Sequence, residues 1–204
     1  MKLFYSPASP YVRKVMVLLH ETGLEPNVER IAVPVSPVQA NADVQKQNPL
    51  AKIPAFITDA GETLYDSPVI CEYLDAQAGG GKFFPPAGPR RWTALRRQAL
   101  GDGILDAAIL VRYEGTIRPE ARRWDDWSRG QWQKVEAGIA EIEREAAAFG
   151  DTFDIGTIAL CCALGYLDLR FSDRQWRAKA PKTVAWMQKF AERPSMKKTA
   201  PPPA

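Results

Sequence analysis

The sequence has few of the side chains on which metal sites, disulfide frameworks and histidine-based catalysis depend. Its 204 residues include one histidine, His20, and three cysteines, Cys71, Cys161 and Cys162, with no C-x-x-C pair. A histidine-based triad would have to use His20, and a zinc site would lack its usual ligands. An odd number of cysteines is not a disulfide framework, so we expect no bound metal and a reducing, cytoplasmic compartment.

Long apolar runs and a strong excess of one charge are also missing. No apolar run reaches the length that spans a bilayer, and the first ten residues lack the long apolar region of a secretory signal. The net charge is +3, and acids are interleaved with the basic clusters through the chain. Solvated helix faces explain such clusters better than nucleic acid does, so we expect no membrane and no nucleic-acid partner.

What is present is the composition of an ordinary globular protein, with 46% hydrophobic and 25% charged residues. The length fits one large domain or two small ones. Residues 79–89, GGGKFFPPAGP, cannot continue a helix and predict a domain boundary. Phe83 and Phe84 within this segment are expected to pack against a domain.

The stretch from 6 to 23 predicts a capped helix that follows a short strand at residues 3–5. Ser9 is the predicted N-cap, Pro10 occupies the first helical position, and Gly23 ends the helix. A hydroxyl at a helix N-terminus suits an anion or a thiolate, because the free backbone N–H groups favour negative charge. The structural alternative is that Ser9 only caps the helix.

The remainder of this half alternates short strands and helices. Residues 27–33 predict a second strand, parallel to the first, and a short helix is expected near 40–45. A β-hairpin is predicted from strands at 55–58 and 63–65. Ser67 and Pro68 then repeat the arrangement of Ser9 and Pro10, with Ser67 as a capping hydroxyl.

Beyond Pro89 the sequence is helical throughout. Helices are predicted at about 90–117, along the apolar stripe from Val135 to Phe149, at 155–169, and from Pro181 until Pro194 closes the last one. The 155–169 helix is apolar nearly all round and should be buried on every side. It should be capped by Asp154, with Phe153 packing on Ile158. The remaining proline-rich tail is expected to be poorly ordered or extended.

These features together resemble the cytosolic glutathione S-transferases, and in particular their small, serine-type bacterial members. The resemblance rests on the order and spacing of S-P-Y-V-R-K from Ser9, N-P-L-A-K-I-P at 48–54 and D-S-P-V-I at 66–70. It implies a thioredoxin-like α/β domain followed by an all-α helical domain, with glutathione as co-substrate and a homodimeric, detoxifying enzyme. The ranges are 1–78 for the glutathione-binding domain, 79–89 for a linker, 90–194 for the helical domain and 195–204 for the tail.

The resemblance implies three parts of a glutathione site. Ser9 stands where serine-type members place the catalytic hydroxyl, with Tyr5 and Ser6 as rivals. Ile53 precedes the position of the family's cis-proline, Pro54, so its backbone would pair with glutathione, and Lys52 would contact the glycine carboxylate or else be a solvated lysine. Asp66 and Ser67 match the acidic-serine pair that holds the γ-glutamyl ammonium and carboxylate.

The resemblance also implies a pocket for a small, apolar electrophile between the two halves. Ile109, Arg112 and Tyr113 are candidates by position, with core packing or solvation as the alternative. Thiol–disulfide or peroxide chemistry and a non-catalytic glutathione- or protein-binding module are the alternative functions. Thr157 stands where the family often has an acid, so the capping box of Asp154 is expected to lose its charged member.

Overall fold

The computed structural model describes residues 1–202, which form two compact units. One consists of residues 1–91 with 194–202, and the other of residues 92–193. The first unit contains the whole sheet and the second is helical. The α/β half and the helical half predicted from the sequence are both present.

A four-stranded mixed sheet forms the centre of the first unit. Its strands are β1 (Lys2–Tyr5), β2 (Glu29–Ala32), β3 (Ala55–Ile57) and β4 (Thr63–Leu64), in the order β2-β1-β3-β4. β1 pairs in parallel with β2, as predicted, and antiparallel with β3, which in turn pairs antiparallel with β4. Leu3 and Phe56 are completely buried and anchor the centre of the sheet.

Helix α1 (Pro10–Thr22) connects the two parallel strands and begins and ends where the sequence predicts. The Ser9 hydroxyl accepts a hydrogen bond from the Val12 N–H, and Pro10 occupies the first helical position. Gly23 adopts a left-handed conformation with φ of 74°, which lets its N–H reach the Leu19 carbonyl and end the helix.

The short helix α2 (Ala42–Gln47) and helix α3 (Ser67–Gln77) complete the predicted pattern of this unit, with one correction. Ser67 is not the N-cap. It is the first helical residue and is buried, whereas Asp66 holds the cap position and its side chain makes no capping hydrogen bond. The proline therefore lies one position further into the helix than the repeat of Ser9–Pro10 suggested.

A buried carboxylate fixes the glycine- and proline-rich segment after α3. Asp75 is only 2% exposed and accepts hydrogen bonds from the N–H groups of Gly81, Phe83 and Phe84 at 3.0–3.1 Å. Phe83 and Phe84 are buried, as expected from their apolar character. These three hydrogen bonds and the two buried rings hold the segment in place within the first unit.

The C-terminal segment differs from the sequence-based expectation of an extended or poorly ordered tail. Helix α8 (Pro194–Lys198) forms within it, and Ser195 and Met196 are buried. The Met196 carbonyl accepts a hydrogen bond from Arg13, and the Ser195 hydroxyl donates one to Glu21 at 2.7 Å. The five-residue helix α8 is too short to be stable by itself, and these hydrogen bonds to α1 stabilise it. Positions 203 and 204 of the predicted tail lie outside the described residues.

The second unit is built from α4 (Pro89–Thr116) from Trp92 onward, α5 (Asp125–Glu145), α6 (Ile155–Arg170) and α7 (Pro181–Ala191). Helix α6 is buried continuously from Ile155 to Leu167, as its uniformly apolar sequence predicts. The Phe153 ring lies beside that of Phe190 at 5.3 Å between ring centroids, and its packing on Ile158 stays a prediction.

The N-cap of α6 is confirmed, and its capping box is complete. The Asp154 carboxylate accepts from the Thr157 N–H, and the Thr157 hydroxyl accepts from the Asp154 N–H, both at 3.0 Å. Threonine thus supplies the second bond that a glutamate or glutamine usually makes. The expected loss of a charged member is real, but the reciprocal pair of hydrogen bonds survives it.

Within residues 1–202, no single helix is both long and apolar enough to cross a membrane, although the sharply bent pair formed by Ile155–Arg170 and Ser172–Lys179 meets those criteria jointly.

Candidate functional site

The strand register brings the three predicted parts of the site to one end of the sheet. Phe4, near the carboxyl end of β1, pairs with Ala55 at the start of β3, and Phe56 pairs with Leu64 at the end of β4. The segments that lead from β1 to Ser9, from Lys52 into β3, and from β4 to Asp66 therefore lie at that same end. Residues far apart in sequence are thus collected around the N-termini of α1 and α3.

Ser9 presents its hydroxyl at the N-terminus of α1. The oxygen accepts from the Val12 N–H at 3.3 Å, which is long for such a bond, and the residue is partly exposed. A serine hydroxyl has one donor and two acceptor sites, so the O–H remains able to donate outward. The first turn of α1 contains no acidic side chain, so its partial positive charge is not offset there.

The loop before β3 offers an open stretch of backbone at Ile53. The Ile53–Pro54 peptide bond is cis, as the resemblance implied. Among the hydrogen bonds of residues 1–202, none involves the backbone N–H or C=O of Ile53. An unpaired N–H and C=O beside a sheet can bind an extended peptide as an added strand does.

Asn48 shapes this loop and was not singled out from the sequence. It is buried, its side-chain N–H donates to the Lys52 carbonyl at 2.9 Å, and its Oδ1 accepts from the Leu50 N–H at 3.1 Å. Ala51 adopts a positive φ of 52°, an uncommon conformation for alanine that this bonding supports. The Lys52 side chain is exposed. An asparagine immediately before Pro49 was the available signal for such a turn.

Asp66 and Ser67 stand at the N-terminus of α3. Asp66 is exposed, and its carboxylate makes no bond to the helix it precedes, whereas Ser67 is 1% exposed. A cation and an anion can be held together here, because the Asp66 carboxylate attracts an ammonium group while the first N–H groups of α3 attract a carboxylate. The arrangement suits a small zwitterion.

Neither the histidine nor the cysteines take part in this cluster. His20 lies eleven residues after Ser9, which places it about 16 Å away along α1. Burial lowers the pKa of His20 below its ordinary value of 6.5. The charge of Glu25 raises this pKa, and the charges of Lys198 and Arg30 lower it further. Within residues 1–202, Cys71, Cys161 and Cys162 form no disulfide bond, and all three are completely buried. Nor do residues 1–202 contain a group of three or more His, Cys, Asp or Glu able to hold a metal ion.

The three residues proposed for the electrophile pocket lie close together on α4 of the helical unit. Ile109, Arg112 and Tyr113 are each partly buried. Sequence reasoning did not identify Tyr166 and Arg170, one turn apart on α6. Burial raises the pKa of Tyr166, and the guanidinium groups of Arg112 and Arg170 act on it in the opposite direction. These four polar side chains therefore form a second group within the helical unit.

Comparisons with known proteins match both halves. Residues 3–82 match the model for the N-terminal domain of glutathione S-transferase, and residues 125–189 match that for the C-terminal domain. YibF, a glutathione S-transferase-like protein of Escherichia coli K12, is 32% identical over the full length of both chains.

Solved structures give the same result. The chain is 48% identical to a glutathione transferase family member from Pseudomonas fluorescens Pf-5, solved with bound glutathione, at a TM-score of 0.96 and 98% coverage of each chain. A structure described as a family member from the same strain, with bound S-(propanoic acid)-glutathione, is 47% identical at a TM-score of 0.91, covering 99% of this chain and 100% of the other. With both domain models matched in order and these relatives aligned over nearly their whole length, the chain belongs to the glutathione S-transferase family.

Proposed function

We propose that this protein is a glutathione transferase that activates the thiol of glutathione for attack on small electrophiles with an apolar body. The observation that carries the proposal is the convergence of Ser9, the unpaired Ile53 backbone and the Asp66–Ser67 pair at one end of the sheet. The glutathione bound in the Pseudomonas fluorescens relative supports the choice of ligand.

Each part of glutathione has a counterpart in the cluster. The peptide backbone of its cysteine residue pairs with the N–H and C=O of Ile53 beside Pro54, and Lys52 contacts the glycine carboxylate. Asp66 takes the γ-glutamyl ammonium, and Ser67 with the first N–H groups of α3 takes the neighbouring carboxylate. The sulfur then faces Ser9.

Ser9 acts by stabilising the thiolate rather than by attacking the substrate itself. Its O–H donates a hydrogen bond to sulfur, and a bond to a charged group contributes about 1.5–3 kcal/mol. The N-terminus of α1 adds about 0.3–1 kcal/mol. Together these effects lower a thiol pKa near 8.5 by about one to three units, which gives a large thiolate fraction at neutral pH without a histidine.

The thiolate then forms a carbon–sulfur bond to the electrophile, while either a leaving group such as a halide departs with the electron pair of its own bond to carbon or a carbon–carbon π bond opens and its electron pair takes a proton from water. The product is an S-substituted glutathione. The S-(propanoic acid)-glutathione bound in the second relative is a ligand of this chemical class and supports conjugation as the reaction. The proposal also includes a homodimer, a cytoplasmic location and a role in detoxification.

The test is the Ser9→Ala variant, with Ser6→Ala as the matched control from the same loop. We expect Ser9→Ala to raise the pKa of bound glutathione, measured by thiolate absorbance against pH, and to lower kcat/KM with an aromatic halide at least about tenfold. Ser6→Ala should change neither quantity appreciably. Unchanged thiolate absorbance and rate in Ser9→Ala would show that Ser9 is only a cap.

Two other outcomes distinguish the alternatives. Retention on immobilised glutathione without turnover of any electrophile in a broad panel indicates a binding module. Disulfide or peroxide reduction by the unaltered protein indicates thiol exchange, for which the three buried cysteines offer no accessible nucleophile.

A further inference from the structure

Helices α4 and α6 make a close contact in the helical unit. Four polar side chains follow that contact toward the C-terminal ends of the two helices: Arg112, Tyr113, Tyr166 and Arg170. A Cβ atom added to Gly101 would come within 2.9 Å of the Ala159 backbone, and one added to Gly156 within 2.5 Å of the Ala94 carbonyl oxygen. The earlier residue of α4 contacts the earlier residue of α6, and the later residue contacts the later one. The two helices therefore run in the same direction where they touch. Only glycine permits so close an approach.

Beyond this contact, Arg112 of α4 and Arg170 of α6 both come close enough to the Tyr166 phenol for their charges to act on it. Arg112 lies eleven residues after Gly101, and Arg170 lies eleven residues after Ala159. Eleven residues are about three helical turns, so each arginine returns to the side of its helix that makes the contact. Tyr113 follows Arg112, and Tyr166 lies one turn before Arg170 on the same face.

Neither arginine has an anionic partner. Both are partly buried, and among residues 1–202 no ion pair joins either guanidinium group to a carboxylate. The Nε atom of Arg170 is buried without any hydrogen-bond partner. By contrast, Arg97 pairs with Glu145 at 2.9 Å and Arg177 pairs with Asp168 at 2.7 Å in the same unit.

An uncompensated pair of partly buried cations is costly unless an anion completes it. Both guanidinium groups act on Tyr166, which is 6% exposed. Burial raises the pKa of its phenol, so the hydroxyl keeps its proton and remains a donor at neutral pH. Two guanidinium groups and a phenol O–H are a donor set that matches the two oxygens of a carboxylate.

We propose that Arg112 and Arg170, with Tyr113 and Tyr166, bind the carboxylate of an organic acid, and that the electrophile of this enzyme is an unsaturated carboxylic acid. The second half of this inference rests on the proposed function. In that reaction the thiolate of glutathione forms a carbon–sulfur bond to the alkene carbon remote from the activating carbonyl. The alkene π electrons move to the carbonyl as an enolate, which takes one proton from water to give the saturated thioether.

The kinetic test compares an acid with its neutral ester. 3-Benzoylacrylate and methyl 3-benzoylacrylate share the same apolar body and reacting alkene, and differ in the charge of the carboxyl group. We expect the unaltered protein to prefer the acid in kcat/KM, after each rate is divided by the uncatalysed rate. Arg112→Gln and Arg170→Gln should each reduce that preference about 10- to 100-fold, the range expected for a charge-assisted hydrogen bond.

Arg122→Gln is the matched control, because Arg122 is an exposed arginine of the same unit. It should keep the preference for the acid. Arg170→Lys retains the charge and should lose less than Arg170→Gln, and thermal unfolding of each variant checks that it is folded. No preference in the unaltered protein, or an equal fall for acid and ester in both glutamine variants, overturns the proposal.

A binding measurement separates failure of this proposal from failure of the proposed function. Calorimetry with 3-phenylpropanoate and with 3-phenylpropanamide, in protein free of glutathione, tests the carboxylate site without any turnover. Binding of the acid alone, lost in Arg170→Gln and kept in Arg122→Gln, supports the carboxylate site even where conjugation is absent, and then only the electrophile assignment fails. Equal binding of acid and amide contradicts the carboxylate site itself.

Discussion

The N-termini of α1 and α6 are capped in different ways. Each helix must satisfy N–H groups that have no partner within it. At α6 the Asp154 carboxylate and the Thr157 hydroxyl exchange two hydrogen bonds of 3.0 Å in a buried setting. At α1 Ser9 makes a single bond of 3.3 Å through a partly exposed hydroxyl.

The difference indicates what each cap is built for. The side chains of the α6 cap form hydrogen bonds to the N–H groups of their own helix terminus, so these groups are not left for a charged ligand. The α1 cap retains a donor and leaves the positive end of the helix without a compensating acid. Exchanging or removing these caps therefore separates the contribution of a cap to stability from the thiolate-stabilising role proposed for Ser9.

The largest expected change comes from removing the α6 cap. Asp154→Ala should lower the free energy of unfolding by about 2–3 kcal/mol, because a cap is lost and the buried Thr157 N–H loses its partner. Urea denaturation measures this loss. Asp151→Ala, which alters an exposed acid of the preceding turn, is the control and should stay within about 0.5 kcal/mol. A comparable loss in both variants would mean that the box at Asp154 contributes little.

A smaller change in stability is expected from giving α1 the cap of α6. Ser9→Asp should stabilise the protein by about 0.3–1 kcal/mol, because a carboxylate favours the N-terminus of a helix. The same variant should lose conjugating activity at least about tenfold, since an ionised carboxylate donates no hydrogen bond and repels the thiolate. Unfolding and kinetics measured on one preparation test both halves, and retained activity would contradict the role given to Ser9.

The smallest effect concerns the last turns of the two helices, where α1 has His20 and α6 has Arg170. Burial lowers the pKa of His20 in the folded protein, so the unfolded chain binds that proton more readily. Stability from this residue is present above the ordinary pKa of 6.5 and is lost as the pH falls through the lower folded value. His20→Gln should flatten the mildly acidic part of a stability–pH curve. An unchanged slope would show that His20 does not contribute.

Much of the secondary structure followed from local chemistry. The caps at Ser9 and Asp154, the left-handed Gly23 and the uniformly apolar α6 all depend on neighbours within a few residues, which a sequence displays directly. The short α8 did not follow, because its stability comes from Arg13 and Glu21, more than 170 residues away in sequence. Ser67 was misplaced for a related reason, since a one-residue shift in a helix start leaves the local pattern nearly unchanged.

The sequence by itself determined the order of the elements before α8, the two-part organisation and the absence of a second histidine or a C-x-x-C pair, because these depend on composition and short-range spacing. Only the tertiary structure decided that Ser9, Ile53 and Asp66 meet at one end of a sheet, since strand register acts between distant segments. It likewise decided that Arg112 and Arg170, on two helices in contact, both lie near Tyr166 without a carboxylate partner within residues 1–202. Sequence spacing cannot show that these residues of α4 and α6 come together, because their proximity depends on the close contact of a glycine on one helix with the backbone of the other.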